Sequence, residues 1–351
     1  MTRSGPKRAY VSASLRRALA ISALSLAVAA ALAPVARAAD QPALTLYSAQ
    51  HEQMVDLLAA GFTKETGIEI KIRSGEPPEI ANQLAQEGTL SPADIFFTAN
   101  SPELMLLEEK GLLAKVDPAT LAQIPAQFNS PEGDWVGVLA RENVLAFNPS
   151  MIKEDQLPHS LLDLAKPEWK GKIAIGPTDA DFLPLVGAVT AIHGKDVALQ
   201  WLKGLKENAQ IFDDNEGVMA AVDRGAVATG IVNNYYWARL RTEEGADKLH
   251  SQIHHFADRD VGALINVSGA AVLKSSHNPE AAQRFLAYLV AKSTQAMLAA
   301  TEISFEYPLA PGVAPNKLLK PFEELQPPQI TLTQIGDDRS SAELLREAGL
   351  L

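Results

Sequence analysis

Residues 44–72 read LTLYSAQHEQMVDLLAAGFTKETGIEIKI, a stretch that alternates strand, helix and strand patterns. Residues 44–47 have a short strand pattern, and residues 54–66 place apolar side chains at helical spacing before Gly67. Residues 68–72 then alternate apolar and polar side chains, as a second strand does. Because strand–helix–strand units build parallel sheets covered by helices, this stretch predicts an α/β fold.

The same alternation continues along the chain. We predict further helices at residues 79–88, 181–193, 197–205 and 279–292, further strands at 93–97, 135–147, 173–175, 226–232, 263–267 and 269–273, and a Pro-rich surface tail at 308–332. The pattern changes near residue 138 and returns after residue 260. It therefore predicts two lobes, each a mixed sheet flanked by helices: residues 39–138 with 264–310, and residues 139–263 with 311–351. A cleft between such lobes is a preferred place for small ligands.

The first 38 residues have the pattern of a secretory signal peptide. A basic start precedes an apolar, Ala-rich run at residues 18–34, and Ala36-Arg37-Ala38 follows as a small-x-small cleavage site. The run is short for a transmembrane helix, and no second span follows. Arg16-Arg17 leaves both the general secretory route and twin-arginine export open. With no lipid-accepting cysteine, we expect a soluble periplasmic protein without direct membrane insertion.

Charge and cysteine content exclude several classes of protein. Six of the 31 basic residues lie in residues 1–38 and none of the 42 acidic ones does, which leaves a net charge of −17 on the remainder. This balance argues against nucleic acid as a partner, because phosphates need a basic surface. The absence of cysteine excludes disulfides, thiolate catalysis and thiolate metal sites.

The adjacent residues Tyr235 and Tyr236 are the sharpest local feature. They follow the predicted strand at 226–232 and stand in the motif Asn233-Asn234-Tyr235-Tyr236-Trp237. Neighbouring residues on a strand point to opposite faces, so both rings reach one point only at a strand-to-helix turn. A packed aromatic pair is the ordinary alternative.

Several motifs along residues 40–349 together resemble the bacterial periplasmic ferric-ion-binding proteins, the capture components of iron ABC transporters. In chain order these motifs are YSAQH at 47–51, SPADIF at 91–96, KGKI at 170–173, WLKGLK at 201–206, NNYYW at 233–237 and SGAAVLKSS at 268–276. The resemblance implies a two-lobed periplasmic-binding-protein type II fold. It also implies a binding protein, not an enzyme, that passes ferric iron to a membrane permease.

The same resemblance implies three protein ligands for Fe³⁺. Tyr235 and Tyr236 occupy the places of the family's tandem tyrosines, and His51 matches its histidine. The chemistry agrees with these assignments, because a hard trivalent cation favours anionic oxygen and lowers the pKa of a coordinated phenol. Protons then compete with the metal, so acid should release it.

The chain departs from the family at the carboxylate ligand. Ala99 stands where the family has a glutamate, and alanine has no donor atom. Two solutions remain open. A bound anion (carbonate, phosphate or citrate) or water could complete the coordination, or another carboxylate, Asp179 or Asp181, could approach the iron.

The anion site also differs from the family pattern. Asp179-Ala180-Asp181 replaces a phosphate-holding Ser-Gly-Ala, and a carboxylate repels phosphate unless a metal offsets the charge. Asn215 and Asn233 match family asparagines near the anion, and Asp179 is a further supporting residue by position. Arg73, after the second strand, offers a planar fork that suits carbonate.

We therefore predict a monomeric, non-enzymatic periplasmic protein that captures ferric iron. An alternative keeps the fold and exchanges the cargo for an inorganic anion or another small solute. A second alternative is a metal-dependent hydrolase on His254 and His255, since His250 and His254 would share one face if this segment were helical. No motif supplies a general base for that reaction.

Overall fold

The computed structural model describes residues 1–2 and 43–351. Apart from its first two residues, the predicted signal peptide at residues 1–38 lies outside the described part of the chain. No helix within residues 43–351 is both long and apolar enough to span a bilayer.

Ten strands form one curled sheet. They are β1 (Leu44–Ala49), β2 (Ile70–Ser74), β3 (Ile95–Thr98), β4 (Val136–Phe147), β5 (Ile173–Ile175), β6 (Ala209–Ile211), β7 (Thr229–Asn233), β8 (Gln252–His254), β9 (Ile265–Val272) and β10 (Tyr307–Pro308). Their order across the sheet is β2-β1-β3-β9-β4-β7-β5-β6, and β8 and β10 each pair with β4.

Twelve α-helices cover this sheet in the described part of the chain. They are α1 (Glu52–Thr66), α2 (Pro77–Glu87), α3 (Ser101–Glu109), α4 (Pro118–Leu121), α5 (Phe182–His193), α6 (Lys195–Asn208), α7 (Asn215–Asp223), α8 (Asn234–Glu244), α9 (Pro279–Val290), α10 (Lys292–Ala299), α11 (Leu332–Ile335) and α12 (Asp338–Ala348). The end of α1 illustrates how the sequence sets these bounds. Gly67 adopts φ 76° and its N–H closes the helix on the Thr63 carbonyl at 2.8 Å.

The outer strands are parallel, and the centre of the sheet is antiparallel. β1 pairs in parallel with β2 and β3, and β5 with β6 and β7, as the strand–helix–strand pattern predicts. At the middle of the sheet β9 runs antiparallel to both β3 and β4, so the sheet is mixed, as predicted. The fold is therefore mixed α/β.

β4 joins the two halves of the sheet. Its residues from Val136 to Glu142 pair with β9, and those from Asn143 to Phe147 pair with β7. All twelve residues of β4 are buried, as expected for a strand covered on both faces. The lobe boundaries at residues 138/139 and 263/264 stay a prediction.

The two strands predicted at 263–267 and 269–273 are one continuous strand, β9. The Ser-Gly pair that interrupts its apolar pattern makes close contacts inside the sheet. Ser268 Oγ accepts a hydrogen bond from the Leu139 N–H at 3.1 Å. At Gly269 a Cβ would lie 2.7 Å from a Leu104 methyl carbon and 3.0 Å from the Val136 carbonyl oxygen, so a larger residue would force these neighbours to shift.

Candidate metal-binding site

The tandem tyrosines lie where β7 ends and α8 begins, which confirms the predicted strand-to-helix turn. Their ring centroids are 4.1 Å apart, and Tyr235 and Tyr236 keep only 5% and 9% of their surface exposed. The rings pack on an apolar cluster that includes Val144 of β4 and Val218 of α7. Both phenols are thereby held on one side of the β7–α8 turn.

His51 approaches the tyrosines from the other half of the sheet. It follows β1 and is the first residue before α1, but its side chain does not cap that helix. Its ring centroid is instead 4.8 Å from that of Tyr235. The structure therefore brings together the three residues predicted as metal ligands.

Two carboxylates face the phenols. Tyr235 Oη donates to Asp181 Oδ2 at 3.1 Å, and Tyr236 Oη donates to Asp179 Oδ2 at 3.3 Å. Asp181 is the residue before α5, yet its side chain makes no capping bond to that helix. Asp179 also accepts from the backbone N–H groups of Asp181 and Asn215, both at 2.9 Å.

A buried arginine that the sequence analysis missed lies behind the carboxylates. Arg141 is only 1% exposed, and its Nη2 lies 3.0 Å from Asp181 Oδ1. The same nitrogen donates to the side-chain oxygen of Asn100, and Nη1 lies 3.8 Å from Glu306 Oε2. The signal in the sequence was a charged pair, Arg141-Glu142, inside a twelve-residue strand whose other residues, apart from Asn143, are apolar or glycine.

Glu306 is the second missed residue, and no local motif marks it. It is 2% exposed, and its Oε1 lies 3.9 Å from His51 Nε2. Neither of its oxygens has a hydrogen-bond partner among the described residues. Burial raises the pKa of Glu306 to about 7, while Arg141 opposes that rise.

Burial dominates the titration of the predicted ligands. It raises the pKa of Tyr235 and of Tyr236 well above the usual phenol value, and the nearby Asp181 carboxylate raises both further. It lowers the pKa of His51 to about 4, with the Arg141 guanidinium acting in the same direction. The imidazole is therefore neutral at pH 7 and free to bind a metal, whereas each phenol must lose a proton to do so.

The two carboxylates are shifted in opposite directions. Burial, and then the charge of Asp181, raises the pKa of Asp179 to about 7. Burial also acts to raise the pKa of Asp181, but the adjacent Arg141 guanidinium outweighs it and the net pKa is lowered. Asp181 is thus the more acidic carboxylate of the pair.

An open cavity of about 800 Å³ adjoins these groups. Its walls include His51, Ala99, Asp179, Asp181, Tyr235 and Tyr236. Ala99 therefore lies in the same cavity as the predicted ligands, and it presents a methyl group where a carboxylate would otherwise stand. Within residues 43–351, no group of three or more His, Asp or Glu side chains could hold a metal ion.

The residues predicted to hold an anion are only partly brought together. Asn215 and Asn233 are buried, and Asn215 Oδ1 and Asn233 Nδ2 have no hydrogen-bond partner in the described part of the chain. Arg73 lies elsewhere: its guanidinium stacks 5.0 Å from the Tyr47 ring centroid and donates to Tyr47 Oη at 3.2 Å. Arg73 does not line the 800 Å³ cavity, and the guanidinium that pairs with Asp181 is that of Arg141.

The histidines of the hydrolase alternative are not on a helix. His254 ends β8 and pairs with Leu145 of β4, so the helical His250–His254 pair is wrong. His255 Nδ1 lies 2.6 Å from Glu142 Oε2, a buried carboxylate on β4, the strand that joins the two halves of the sheet. This contact joins β4 to the segment after β8.

Comparisons with known proteins relate the chain to proteins named for binding iron. The Fe(3+)-binding periplasmic protein of Serratia marcescens is 40% identical over 90% of this chain and 93% of its own length. The major ferric iron-binding protein of Neisseria meningitidis serogroup A is 36% identical over 91% of this chain and 98% of its own.

Solved structures of similar proteins share the fold of this chain. Iron-bound HitA from Pseudomonas aeruginosa matches with a TM-score of 0.83 and 42% identity, covering 88% of this chain and 99% of that one. A Trichodesmium protein solved in complex with iron and citrate ligands matches with a TM-score of 0.77 and 30% identity, covering 88% and 99%. The predicted two-lobed type II fold is thereby confirmed.

A family model described as bacterial extracellular solute-binding protein matches residues 90–331. This match covers most of the described chain, including β3 to β10 and the β7–α8 turn with its tyrosines. Together with relatives of up to 40% identity over nearly the full length, it confirms the resemblance drawn from the motifs. The chain belongs to the bacterial extracellular solute-binding proteins, and proteins named for binding ferric iron are among its relatives.

Proposed function

We propose that this chain captures ferric iron in the cleft between its two lobes and delivers it to an ABC permease in the inner membrane. The observation that carries the proposal is the convergence of two phenols and one imidazole beside an open cavity. The Tyr235 ring centroid lies 4.1 Å from that of Tyr236 and 4.8 Å from that of His51. Phenolates are hard anionic donors, and the neutral imidazole is a common metal ligand.

Ligands from both halves of the sheet give the site a way to close and open. His51 follows β1, whereas the tyrosines follow β7, and β4 and β9 lie between these strands. Closure would bring the imidazole to the phenolates and remove water, which strengthens metal–oxygen attraction. Opening would separate the ligands and release iron to the permease. For this proposal we keep the lobe boundaries predicted from the sequence, residues 39–138 with 264–310 and residues 139–263 with 311–351.

Asp181 is our candidate for the carboxylate that Ala99 lacks. Two neighbouring ligands of an octahedral ion with metal–oxygen bonds of about 2.0–2.1 Å stand roughly 2.9 Å apart. Tyr235 Oη and Asp181 Oδ2 are already 3.1 Å apart. Arg141 holds the other Asp181 oxygen at 3.0 Å and would orient the carboxylate, as outer-shell partners do at metal sites.

A bound anion is the other way to complete the coordination. Carbonate, phosphate or citrate would use the unpartnered side chains of Asn215 and Asn233. Asp179 and Asp181 oppose this by charge unless iron offsets them. The same two carboxylates disfavour the alternative in which an inorganic anion is itself the cargo, since the cavity then holds no compensating metal.

The decisive experiment is a visible titration of purified, chelator-stripped protein with ferric citrate at neutral pH. Phenolate coordination should give a charge-transfer colour with one iron per chain. The double variant Tyr235→Phe, Tyr236→Phe should stay colourless, whereas Tyr288→Phe, a tyrosine that packs on Phe62 and Phe285, should behave like the parent protein. A colourless parent protein that fails to retain iron would refute the proposal.

Export and partnership belong to the same proposal. The signal-peptide pattern at residues 1–38 would carry the chain to the periplasm, where we expect a soluble monomer that is not an enzyme. Fractionation of cells expressing the full chain should recover it, cleaved after residue 38, in the periplasmic extract.

A further inference from the structure

Arg239 stands directly beside the tyrosine pair on the same helix. It follows Tyr235 by four residues and Tyr236 by three, which places all three side chains on one face of α8. The guanidinium carbon lies 5.5 Å from the Tyr236 ring centroid, within the distance of a cation–π contact. An arginine is always charged in a protein, so this ring carries a permanent cation over its face.

The position of Arg239 is separate from the main cavity. It lines a smaller cavity of about 390 Å³, which reaches His51 and Tyr235 and is bordered by Glu216 and Glu243. It is absent from the walls of the 800 Å³ cavity where the cargo would enter. Arg239 therefore lies beside the tyrosines without lining the larger cavity.

Two carboxylates hold the guanidinium in place. Arg239 Nη2 donates to Glu216 of α7, and Nε lies 3.9 Å from Glu243, one turn along α8. The arginine side chain is 33% exposed, whereas both glutamates are 62% exposed. The guanidinium of Arg239 is thus less exposed to solvent than the two carboxylates that pair with it. Part of its positive charge is therefore left to act on the Tyr236 ring.

We propose that Arg239 is a positioning residue that tunes the bond between iron and the Tyr236 phenolate through its charge over the ring. The inference rests on the proposed ferric function. A cation over the ring stabilises the charged phenolate form of Tyr236 more than it stabilises the neutral phenol form. The charge-transfer transition moves an electron from the phenolate to iron, so the excited state no longer has that stabilisation. Arg239 therefore raises the energy of the visible band and strengthens iron binding.

The test compares two arginines of the same helix. Arg241 stacks 5.2 Å from the ring centroid of Trp237 and provides a matched cation–π contact away from the tyrosines. In ferric citrate titrations, Arg239→Gln should move the visible band to longer wavelength and lower iron affinity by about two- to fivefold, the size expected for a partly exposed cation–π contact. Arg241→Gln should leave both the band and the affinity at parent values.

Two further variants separate charge from packing. Arg239→Lys keeps the cation and should hold the band near its parent position. Glu216→Gln removes a counter-ion and should move the band to shorter wavelength, opposite to Arg239→Gln. A merely structural contact would not reverse the shift in this way.

The outcomes distinguish this inference from the proposed function. A parent protein with no iron colour overturns both. A coloured parent whose band is unmoved in Arg239→Gln, or moves equally in Arg239→Lys, overturns the role of Arg239 and leaves ferric binding intact.

Discussion

The carboxylate of Asp181 accepts a hydrogen bond from the phenol of Tyr235 at 3.1 Å, and its second oxygen lies 3.0 Å from Arg141. Asp181 is thus fixed on one side by a permanent cation and presents its other oxygen to a predicted iron ligand. If a metal ion replaced the phenol proton, Tyr235 Oη and Asp181 Oδ2 could both bind it while staying close to their present positions.

The first prediction concerns this carboxylate. Asp181→Asn keeps the size of the side chain and removes its charge, so iron affinity should fall by at least tenfold, because a charged ligand of the cation is lost. Asp179→Asn should have the smaller effect, since burial already raises the pKa of Asp179 to about 7. Competition with citrate, followed by the visible band, measures both. Equal affinities for Asp181→Asn and the parent would exclude Asp181 as a ligand.

The second prediction restores the missing donor. Ala99 lines the cavity beside His51 and the tyrosines, so Ala99→Glu would place a carboxylate where the family has one. We expect tighter iron retention against citrate and weaker dependence on added carbonate or phosphate. Ala99→Gln, which has the same shape without the charge, is the control. A loss of affinity in Ala99→Glu alone would mean that the carboxylates already present saturate the site.

The third prediction concerns protons. Burial holds both phenols protonated in the iron-free protein far above pH 7, so iron must displace their protons. Iron binding between pH 7.5 and 9 should therefore release about two more protons in the parent protein than in the double Phe variant. Affinity consequently rises with pH and falls on acidification. Release of equal numbers of protons by both proteins would contradict phenolate binding.

His51 should contribute differently to this pH dependence. Burial lowers its pKa to about 4, so no proton leaves the imidazole above pH 6. The His51→Asn variant should bind iron more weakly at every pH from 6 to 9 and keep the parent proton release. A changed release would place the titration on the histidine instead of on the phenols.

A fourth prediction follows from Glu306. Burial raises its pKa to about 7 in the folded chain, whereas the unfolded chain loses this proton near pH 4.5. The folded state therefore holds more protons up to about pH 7, and the stability of the iron-free protein should fall as pH rises from 6 to 8. His51 acts in the opposite direction only below its unfolded pKa of 6.5.

Thermal melting of iron-free protein at pH 6, 7 and 8 measures this dependence. Glu306→Gln should make the fall in melting temperature smaller, because the amide cannot ionise, and Asp179, whose pKa burial also raises to about 7, contributes to the rest of the fall. Glu302→Gln, at an exposed position four residues earlier, should leave it unchanged. An identical pH dependence in Glu306→Gln and the parent would remove Glu306 as its source.

Local patterns predicted the outer parts of the fold well and its centre less well. The strand at 173–175 and the tyrosine turn follow from short-range apolar spacing, which depends on neighbouring residues alone. The continuity of β9 does not, because Ser268 and Gly269 look like a break until β4 and α3 are packed against them.

The site residues likewise fall into those that the sequence identified and those that only the structure revealed. Motif resemblance identified Tyr235, Tyr236 and His51, and the structure brings their rings together. Arg141 left only a weak local signal, its charged pair with Glu142 inside a buried strand, and Glu306 left none, because its contacts with Arg141 and His51 join segments more than 100 residues apart. Both are buried charges, which only tertiary contacts stabilise.

The last prediction concerns the residue that fixes the start of the tyrosine helix. Asn234 is fully buried; its side chain accepts from the Glu142 N–H at 2.8 Å and donates to the Phe305 carbonyl at 3.0 Å. Asn234→Ala leaves both backbone groups buried without a partner, so the free energy of unfolding should fall by about 2–4 kcal/mol. Urea unfolding of iron-free protein measures this change.

A buried asparagine away from the site supplies the comparison. Asn208 also donates two hydrogen bonds to backbone carbonyls, those of Leu164 and Lys166, and Asn208→Ala should destabilise the chain comparably. Only Asn234→Ala should also weaken iron binding in the folded fraction, because Asn234 ties β4 and residue 305 to the helix that carries both phenols. Equal iron affinities in the two variants would mean that the tyrosines are positioned by β7 and the apolar cluster alone.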